Sequence, residues 1–170
     1  MSDIAKQAGI SYGLVYHYFK SKEDLFDAII EQWWDSLFQL MGDIKRGGYN
    51  VHKKLRCIID HFLDTYQDNP ELVNIFITEI SRSTTNLTKD RLSRFKKFMS
   101  LTEEVISEGQ AGQSLRTDFK ARYLTYIFLG ALEAFISTMV LEDQGFKGNT
   151  QKKEIAESIL EVFMNGAKGH

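Results

Sequence analysis

Residues 3–26 read DIAKQAGISYGLVYHYFKSKEDLF, and three helix starts lie within these two dozen residues. A short apolar helix pattern is followed by a Gly-Ile-Ser break, a second short helix pattern and the capped start of a third. Helices this short are not stable alone, so they must pack on one another. Gly9 permits the left-handed turn that ends the first helix, and Ser11 is the expected N-cap of the second. The stretch therefore predicts a helix-turn-helix.

Composition limits the class of protein. The chain has 170 residues, of which 43% are hydrophobic, enough to bury a core either as one domain or as a small head joined to a larger body. A formal charge of −2 gives no general attraction to nucleic acid or anionic membrane, so such binding requires a local patch. One Cys excludes an intramolecular disulfide, and without a secretory signal we expect a cytoplasmic protein. The single Pro favours an all-helical chain.

The spacing of apolar residues predicts the remaining helices. A long helix starts at the N-cap Ser21 and ends at Gly47 and Gly48, and a second amphipathic helix covers residues 51–66. Asn69 and Pro70 begin another. Two more helices are predicted by their apolar faces. The first has Leu92, Phe95, Met99 and Ile106 on one face and is closed by Gly109 and Gly112. The last helix has Ile155, Ile159, Val162 and Phe163 on one face. No run alternates with period two for long enough to predict a strand.

Residues 123–141 are apolar almost all round, which raises the alternative of a membrane span. Glu133 lies in the middle of the run, Thr and Ser interrupt it, and no basic cluster flanks it. We therefore predict no membrane partner, but a helix that contacts its own core on one side and a partner on the other. Together with the last helix, it would form a four-helix seam with a second copy, giving a homodimer.

The second short helix has the properties of a recognition helix. Val15 and Phe19 turn inward, while Leu14 is placed to meet a thymine methyl and Gly13 lets the backbone approach the groove. Lys22 adds a positive charge at the start of the long helix. The predicted DNA-binding residues are Ser2, Ser11, Tyr12, Gly13, Leu14, Tyr16, His17 and Lys22. The alternative is an ordinary surface on a head that does not bind DNA.

The stretch resembles the DNA-binding signature of the TetR family of bacterial one-component repressors, with Tyr18 where the family pattern has His. The resemblance implies a homodimer with a DNA-binding head, here residues 1–45, and a helical ligand-binding and dimerisation body, here residues 46–170. Residues 106–119, ISEGQAGQSLRTDF, and 128–135, FLGALEAF, are similar to members that sense fatty acyl-CoA.

Family members begin with a further helix that packs across the motif, whereas this chain starts at Met1 just ahead of the second helix. In residues 1–24 the three Lys are balanced by three acidic residues, although phosphate neutralisation usually needs an excess of cations. We therefore expect that the sequence is a trimmed form of a longer chain.

Candidate ligand contacts are the aromatic residues and the one carboxylate that lie on apolar helix faces. They are Trp33, Trp34, Phe38, Phe62, Phe76, Phe128 and Glu133, although aromatic residues at helical spacing more often form core. Glu133 is alternatively paired across the dimer seam. A basic row on one helix is either a solvated face or a site for a phosphate-bearing ligand such as a CoA ester; it comprises Lys89, Arg91, Arg94, Lys96 and Lys97.

No catalytic or metal site is predicted. Cys57 and His61 lie four residues apart, but no third ligand or supporting residue has a suitable spacing. We therefore predict no enzyme, metal or cofactor, but an all-α, ligand-responsive DNA-binding transcriptional regulator. It is expected to be a repressor released from a palindromic operator by a small apolar or amphipathic effector, with acyl-CoA as a candidate. The rival is a helical small-molecule-binding or scaffold protein without an operator.

Overall fold

The computed structural model describes residues 1–73, 89–142, 146 and 148–169, and these are almost entirely helical. The described residues contain no strand, only an isolated bridge between Leu115 and Lys168, and the all-α prediction is confirmed. The helices are α1 (Ser2–Ala8), α2 (Tyr12–Tyr18), α3 (Lys22–Arg46), α4 (Val51–Asp68), α5 (Lys89–Ala111), α6 (Ala121–Leu141) and α7 (Asn149–Gly166). The chain divides into two compact units, Met1–Leu37 and Phe38–His170, and α3 contributes residues to both.

The predicted caps define the first three helices. Gly9 ends α1 in the left-handed conformation at φ 67°. The Leu14 amide donates to Ser11 Oγ at 3.2 Å, and the Asp24 amide donates to Ser21 Oγ at 3.0 Å. Each hydroxyl satisfies one backbone donor that the first turn of a helix leaves without a partner. Local chemistry therefore sets the short helices of the first unit.

In the first unit, α1 packs against α2, and Ala5 of α1 and Val15 of α2 are buried. Phe19, predicted to turn inward, is half-buried, while Ala8 is exposed. On α3, Ile30, Trp33 and Leu37 are buried at the predicted spacing of three and four residues, and Trp34, outside that spacing, is buried beside Trp33. Residues 70–73 are helical as predicted from Asn69 and Pro70, and the rest of that predicted helix lies outside the described residues.

The core of the second unit is built around α4, which packs against α5, α6 and α7. All seven apolar residues predicted on its inner face are buried: Val51, Leu55, Ile58, Ile59, Phe62, Leu63 and Tyr66. Burying an aliphatic or aromatic side chain of this size contributes about 1.5–3 kcal/mol relative to exposure. The Tyr66 hydroxyl donates to the Met139 carbonyl oxygen at 3.2 Å, which satisfies a buried polar group between α4 and α6.

The predicted inner face of α5 is wrong in part. Leu92 is exposed, and the buried residues are Phe98, Thr102, Val105, Ile106 and Gly109. Gly109 does not end the helix, which continues to Ala111. A Cβ at Gly109 would lie 2.9 Å from Val51 Cγ2 and 2.8 Å from Leu115 Cδ1. This glycine therefore permits a close approach of α4 and of the segment after α5.

The two faces of α6 differ in exposure. Its inner face, with Phe128, Leu132 and Ile136, is buried and packs against α4, α5 and α7. Its outer face leaves Ile127 60% exposed. On length and composition alone, α6 is suited to cross a membrane. An 18-residue window of this helix has a mean hydropathy of 1.8, and 33% of that window is buried within the chain. A core helix of a water-soluble protein meets the same two criteria.

The predicted face of α7 needs one correction. Ile155, Ile159 and Phe163 are buried as predicted, together with Ala156 and Leu160. Val162 is instead 76% exposed, because the core contacts of α7 are centred on Ala156 and Leu160. Val162 therefore belongs to an apolar surface that α7 shares with the outer face of α6.

Candidate nucleic-acid interface and effector body

In the first unit, one face of α2 is exposed and we call it the recognition face. It carries Tyr12, Gly13, Leu14, Tyr16 and His17, all exposed. Val15 points to the opposite side and is buried. The other predicted DNA-binding residues, Ser2, Ser11 and Lys22, are exposed as well. Every predicted DNA contact is therefore accessible to a groove, which is the condition for a recognition helix.

Aromatic contacts order the side chains of the recognition face. The rings of Tyr12 and Tyr16, one helical turn apart, have centroids separated by 4.8 Å. A hydrogen bond with Tyr12, with a smaller contribution from burial, raises the pKa of the Tyr16 phenol above its usual value. The His17 ring lies edge-on to Tyr18 at 5.1 Å. The two phenols are therefore linked on the exposed side of α2.

Tyr18 is not among the predicted DNA contacts. Its side chain is 69% exposed at the end of α2, the most exposed aromatic of that helix. The available signal was its position, because the family pattern has His there. Tyr18 is therefore a further candidate for contact with the DNA backbone.

The predicted ligand residues on α3 have different environments. Trp33 and Trp34 are buried, and their rings contact each other at 5.2 Å. Phe38 is half-buried, and the Lys97 ammonium lies 4.2 Å from its ring centroid. This cation–π contact brings one member of the basic row of α5 onto an aromatic side chain.

The other predicted ligand residues lie in the core or outside it. Phe62 is buried with its ring 5.8 Å from Phe98, and Phe128 is fully buried with its ring 5.2 Å from Phe163. Glu133 is exposed on α6 and accepts a hydrogen bond from Ser137 Oγ at 3.4 Å. Phe76 lies outside the described residues. Phe62 and Phe128 are therefore core residues of the second unit.

The basic row occupies the first half of α5. Lys89, Lys96 and Lys97 are exposed, whereas Arg91 and Arg94 are half-buried. Phe98 follows the row directly and is buried against Phe62. Cationic groups and aromatic core are therefore adjacent on this helix.

Ion pairs hold α5 to the turn between α3 and α4. Lys45 Nζ lies 3.0 Å from Glu104 Oε2, and both side chains are about half-exposed or more. Lys54 pairs with Glu108, and the Lys54 side chain is only 8% exposed. Gly48, at φ 63°, lies in the turn between the two lysines. The end of α3 and the start of α4 are therefore both tied to the second half of α5.

An apolar groove, here called the outer groove, runs between α6 and α7 with a volume of about 480 Å³. Its lining includes Phe119, Ile127, Phe135, Val162 and Phe163. At one end the Arg116 guanidinium pairs with Asp118 at 2.5 Å and lies 4.4 Å from the centroid of the Phe119 ring. An exposed apolar surface of this kind is a candidate interaction site.

Cys57 and His61 lie one helical turn apart on α4. Both side chains are half-buried on α4. Burial lowers the pKa of His61, and the negative charge of Asp64 opposes that effect in part. Within residues 1–73, 89–142 and 148–169, no group of three or more potential metal ligands comes together.

Comparison with known families gives the identity of the chain. Residues 1–29 match the model of bacterial regulatory proteins of the tetR family, and residues 27–165 match the C-terminal region of YsiA-like proteins. The chain belongs to the TetR family. This TetR-family protein is a ligand-responsive DNA-binding transcriptional regulator, as the sequence predicted.

Individual relatives agree with the family assignment. The fatty acid metabolism regulator protein of Bacillus subtilis (strain 168) is 22% identical over 166 residues, covering 98% of this chain and 84% of the relative. The transcriptional repressor KstR2 of Rhodococcus jostii (strain RHA1) is 29% identical over 128 residues, covering 75% and 62%. These relatives of the TetR-family protein are regulators and not enzymes.

Solved structures share the fold. FadR from Bacillus subtilis in complex with stearoyl-CoA superimposes with a TM-score of 0.77 at 23% identity, covering 97% of this chain and 87% of that one. The ketosteroid regulator KstR2 of Mycobacterium tuberculosis gives a TM-score of 0.77 at 21% identity, covering 99% and 84%. The architecture of this TetR-family protein is therefore that of the two regulators.

Proposed function

We propose that this regulator is a repressor that binds a palindromic operator as a homodimer and leaves it when a long-chain acyl-CoA binds the body. Residues 1–45 form the DNA-binding head and residues 46–170 the ligand-binding and dimerisation body. The protein acts in the cytoplasm, where its operator lies. The relative from Bacillus subtilis whose solved structure holds stearoyl-CoA supports the effector class.

The observation that carries the effector class is the position of the basic row beside the aromatic core. An acyl-CoA combines an apolar chain with a phosphate-bearing head, so its site must offer both kinds of surface. On α5, Arg94 and Lys97 are followed by Phe98, whose ring packs on Phe62. In this proposal the row binds the phosphates at the mouth of the site. Trp33, Trp34, Phe38, Phe62, Phe76, Phe128 and Glu133 remain the candidate contacts for the rest of the ligand.

The operator contacts come from the first unit. The recognition face of α2 enters the major groove, with Ser2, Ser11 and Lys22 as further contacts. Tyr16 and His17 donate to phosphates. Two heads about 34–36 Å apart read the two halves of a palindromic site. The exposure of all eight predicted residues supports this assignment.

The outer faces of α6 and α7 form the dimer interface in this proposal. Ile127 and Val162 are mostly exposed in the single chain and line the outer groove. Covering such side chains with the same surface of a second copy buries apolar area symmetrically, as in a four-helix seam. Glu133 lies on the exposed part of α6, where a partner residue is able to pair with it.

Effector control follows from two conformations of the dimer. An effector that binds more tightly to a body with a different head separation must weaken operator binding by the same coupling free energy, commonly about 1–3 kcal/mol. Because α3 contributes residues to both units, we expect it to transmit the change. Lys45 and Glu104 connect the second-unit end of α3 to the helix that carries the basic row.

The second candidate is a helical ligand-binding protein without an operator, which the balanced charge of residues 1–24 favours. The two differ in salt dependence. Operator affinity falls steeply as salt rises, because each neutralised phosphate releases counterions, whereas apolar ligand binding changes little.

The decisive experiment is fluorescence anisotropy with DNA from immediately upstream of the protein's own gene, titrated first with salt and then with stearoyl-CoA. Stearate and free CoA separate the contribution of the tail from that of the head. We expect saturable, salt-sensitive binding that stearoyl-CoA reverses and neither fragment reverses at the same concentration. Binding that ignores stearoyl-CoA would leave a repressor with another effector. If this DNA does not bind, a selection of bound fragments from the whole genome follows. A selection that yields no bound fragment would favour the ligand-binding candidate.

A paired substitution tests the basic row. R94Q combined with K97Q should raise the stearoyl-CoA concentration needed for release about tenfold, because two phosphate contacts are lost, and should leave operator affinity within about twofold. The control K153Q removes an exposed lysine of α7 that lies 3.8 Å from Glu157. It should leave both quantities unchanged. Equal behaviour of the two variants would contradict the role of the row.

A further inference from the structure

The recognition face has an unusual composition. The seven residues of α2 read YGLVYHY and include no Arg, Lys, Asn, Gln, Asp or Glu. Those are the side chains that read guanine, adenine and cytosine through hydrogen bonds in the major groove. The hydroxyl of Ser11 accepts the hydrogen bond that caps α2. Hydrogen-bonded base reading by α2 is therefore limited to its phenols and one imidazole.

The positions of these groups around the helix place the Tyr12–Tyr16 pair on one edge and Leu14, with Tyr18 four residues after it, on the other. Tyr12 and Tyr16 contact each other on one edge of the recognition face. Leu14 lies on the other edge, since two residues turn the helix by about 200°. Gly13 and His17 lie between the edges. Apart from its chain neighbours and the backbone of α2, no described atom lies within 4 Å of the position that a Cβ of Gly13 would occupy. The helix backbone can therefore approach the base edges closely beside Leu14.

Leu14 presents an apolar side chain to solvent from a capped position of α2. It is 41% exposed, and its backbone amide is held by Ser11 Oγ at 3.2 Å. The neighbouring Val15 is buried, which fixes the rotation of α2 about its own axis. The apolar group that the major groove offers to such a side chain is the C5-methyl of thymine.

We propose that Leu14 determines operator specificity by contact with a thymine methyl group, one in each half-site, while the tyrosine pair positions the helix on the backbone. This inference rests on the proposed operator binding and adds the base and the atom that are read. In this proposal, Leu14 distinguishes thymine from the other bases by an apolar contact with its methyl group. The loss of that one methyl group from the DNA is therefore sufficient to weaken binding.

The test replaces the thymines of the operator one at a time with deoxyuridine, which lacks the methyl group and keeps the base pairing. For the wild-type protein, deoxyuridine at one position in each half-site should weaken binding about fourfold, the value expected for one buried methyl group. The variant L14A should bind the normal operator more weakly and show no further loss at that position, because the two changes remove the same contact.

Two further variants complete the design. I10A alters an aliphatic residue of similar exposure, 44%, just before α2, and should retain the sensitivity to deoxyuridine. L14M keeps an apolar side chain and should retain most of the sensitivity to deoxyuridine. This variant keeps the inference testable if L14A fails to fold. Operator binding with no deoxyuridine-sensitive position, or with equal sensitivity in wild type and L14A, overturns the inference alone. No operator binding by any of the proteins overturns the proposed function and the inference together.

Discussion

The ammonium of Lys54, buried on α4, is paired with the carboxylate of Glu108 on α5. Half of the Glu108 side chain is exposed, so solvent screens part of the attraction. Removing the carboxylate charge leaves a buried cation without its counterion. The substitution E108Q should therefore lower the free energy of unfolding by about 1–3 kcal/mol, seen as a lower urea midpoint with an unchanged slope at fixed protein concentration.

The matched control for this pair is E104Q. Lys45 and Glu104 form a similar contact, but their side chains are 65% and 48% exposed. An exposed pair contributes less than about 1 kcal/mol, so E104Q should shift the midpoint much less. Equal shifts of the urea midpoint in E108Q and E104Q would show that the burial of Lys54 does not determine how much its ion pair contributes to stability.

Gly109 should be intolerant of a side chain. The substitution G109A places a methyl group within 3 Å of Leu115 and Val51, so α4 or the segment after α5 must move. We expect a loss of about 1–3 kcal/mol in urea unfolding. G42A is the control, because its Cβ meets only the flexible end of Arg46, at 3.2 Å. Alanine in that helix interior should be neutral or stabilising by up to about 1 kcal/mol. A stable G109A would contradict the close approach.

Stability should depend on pH through His61. Because burial lowers its pKa in the folded state, the unfolded chain binds the proton first as pH falls through the ordinary value of 6.5. The free energy of unfolding should therefore decrease from about pH 7 downward and level off below the folded-state pKa. H61Q should lose this part of the slope in urea titrations at several pH values. H52Q, an exposed histidine of the same helix, should retain the slope. An identical slope in wild type and H61Q would exclude His61 as the cause.

The outer groove should be required for dimer formation. V162E introduces a charge at the most exposed apolar residue of α7, where the proposed interface would bury it without a partner. The dimer dissociation constant should rise at least about tenfold in sedimentation equilibrium. L92E places the same charge on exposed Leu92 of α5, outside the groove, and should leave the dimer intact. A stable V162E dimer would place the interface elsewhere.

Phe38 should affect the response to effector more than operator binding. It is half-buried on α3 and contacts Lys97 of the basic row. F38A should shift the effector concentration needed for release, while operator affinity without effector stays within a few-fold in anisotropy titrations. W33A is expected to show the same pattern, with an additional loss of stability because Trp33 is buried. An equal loss of effector response and operator affinity would indicate a purely structural role.

Much of the candidate DNA interface was predictable because its chemistry is local. Gly9, Ser11 and Ser21 act on backbone groups within three or four residues of themselves, so short sequence patterns specify them. The burial of Val15 and the exposure of Leu14 and Tyr16 follow from the same helix start. The inner face of α4 was predicted in full, because a helix surrounded by three others buries every residue of a regular apolar stripe.

The sequence alone was sufficient for the all-α class, the helix-turn-helix and the order of the helices that the structure describes, since hydrogen bonds and apolar period within each segment specify them. The rotation of α5, the packing role of Gly109 and the exposure of Val162 depended on the tertiary structure. Gly109 meets Val51, far from it along the chain, and no periodic pattern in α5 contains that contact. Which apolar residues of a helix face the core depends on how many neighbours it has and where they lie, and that arrangement exists only after the helices pack.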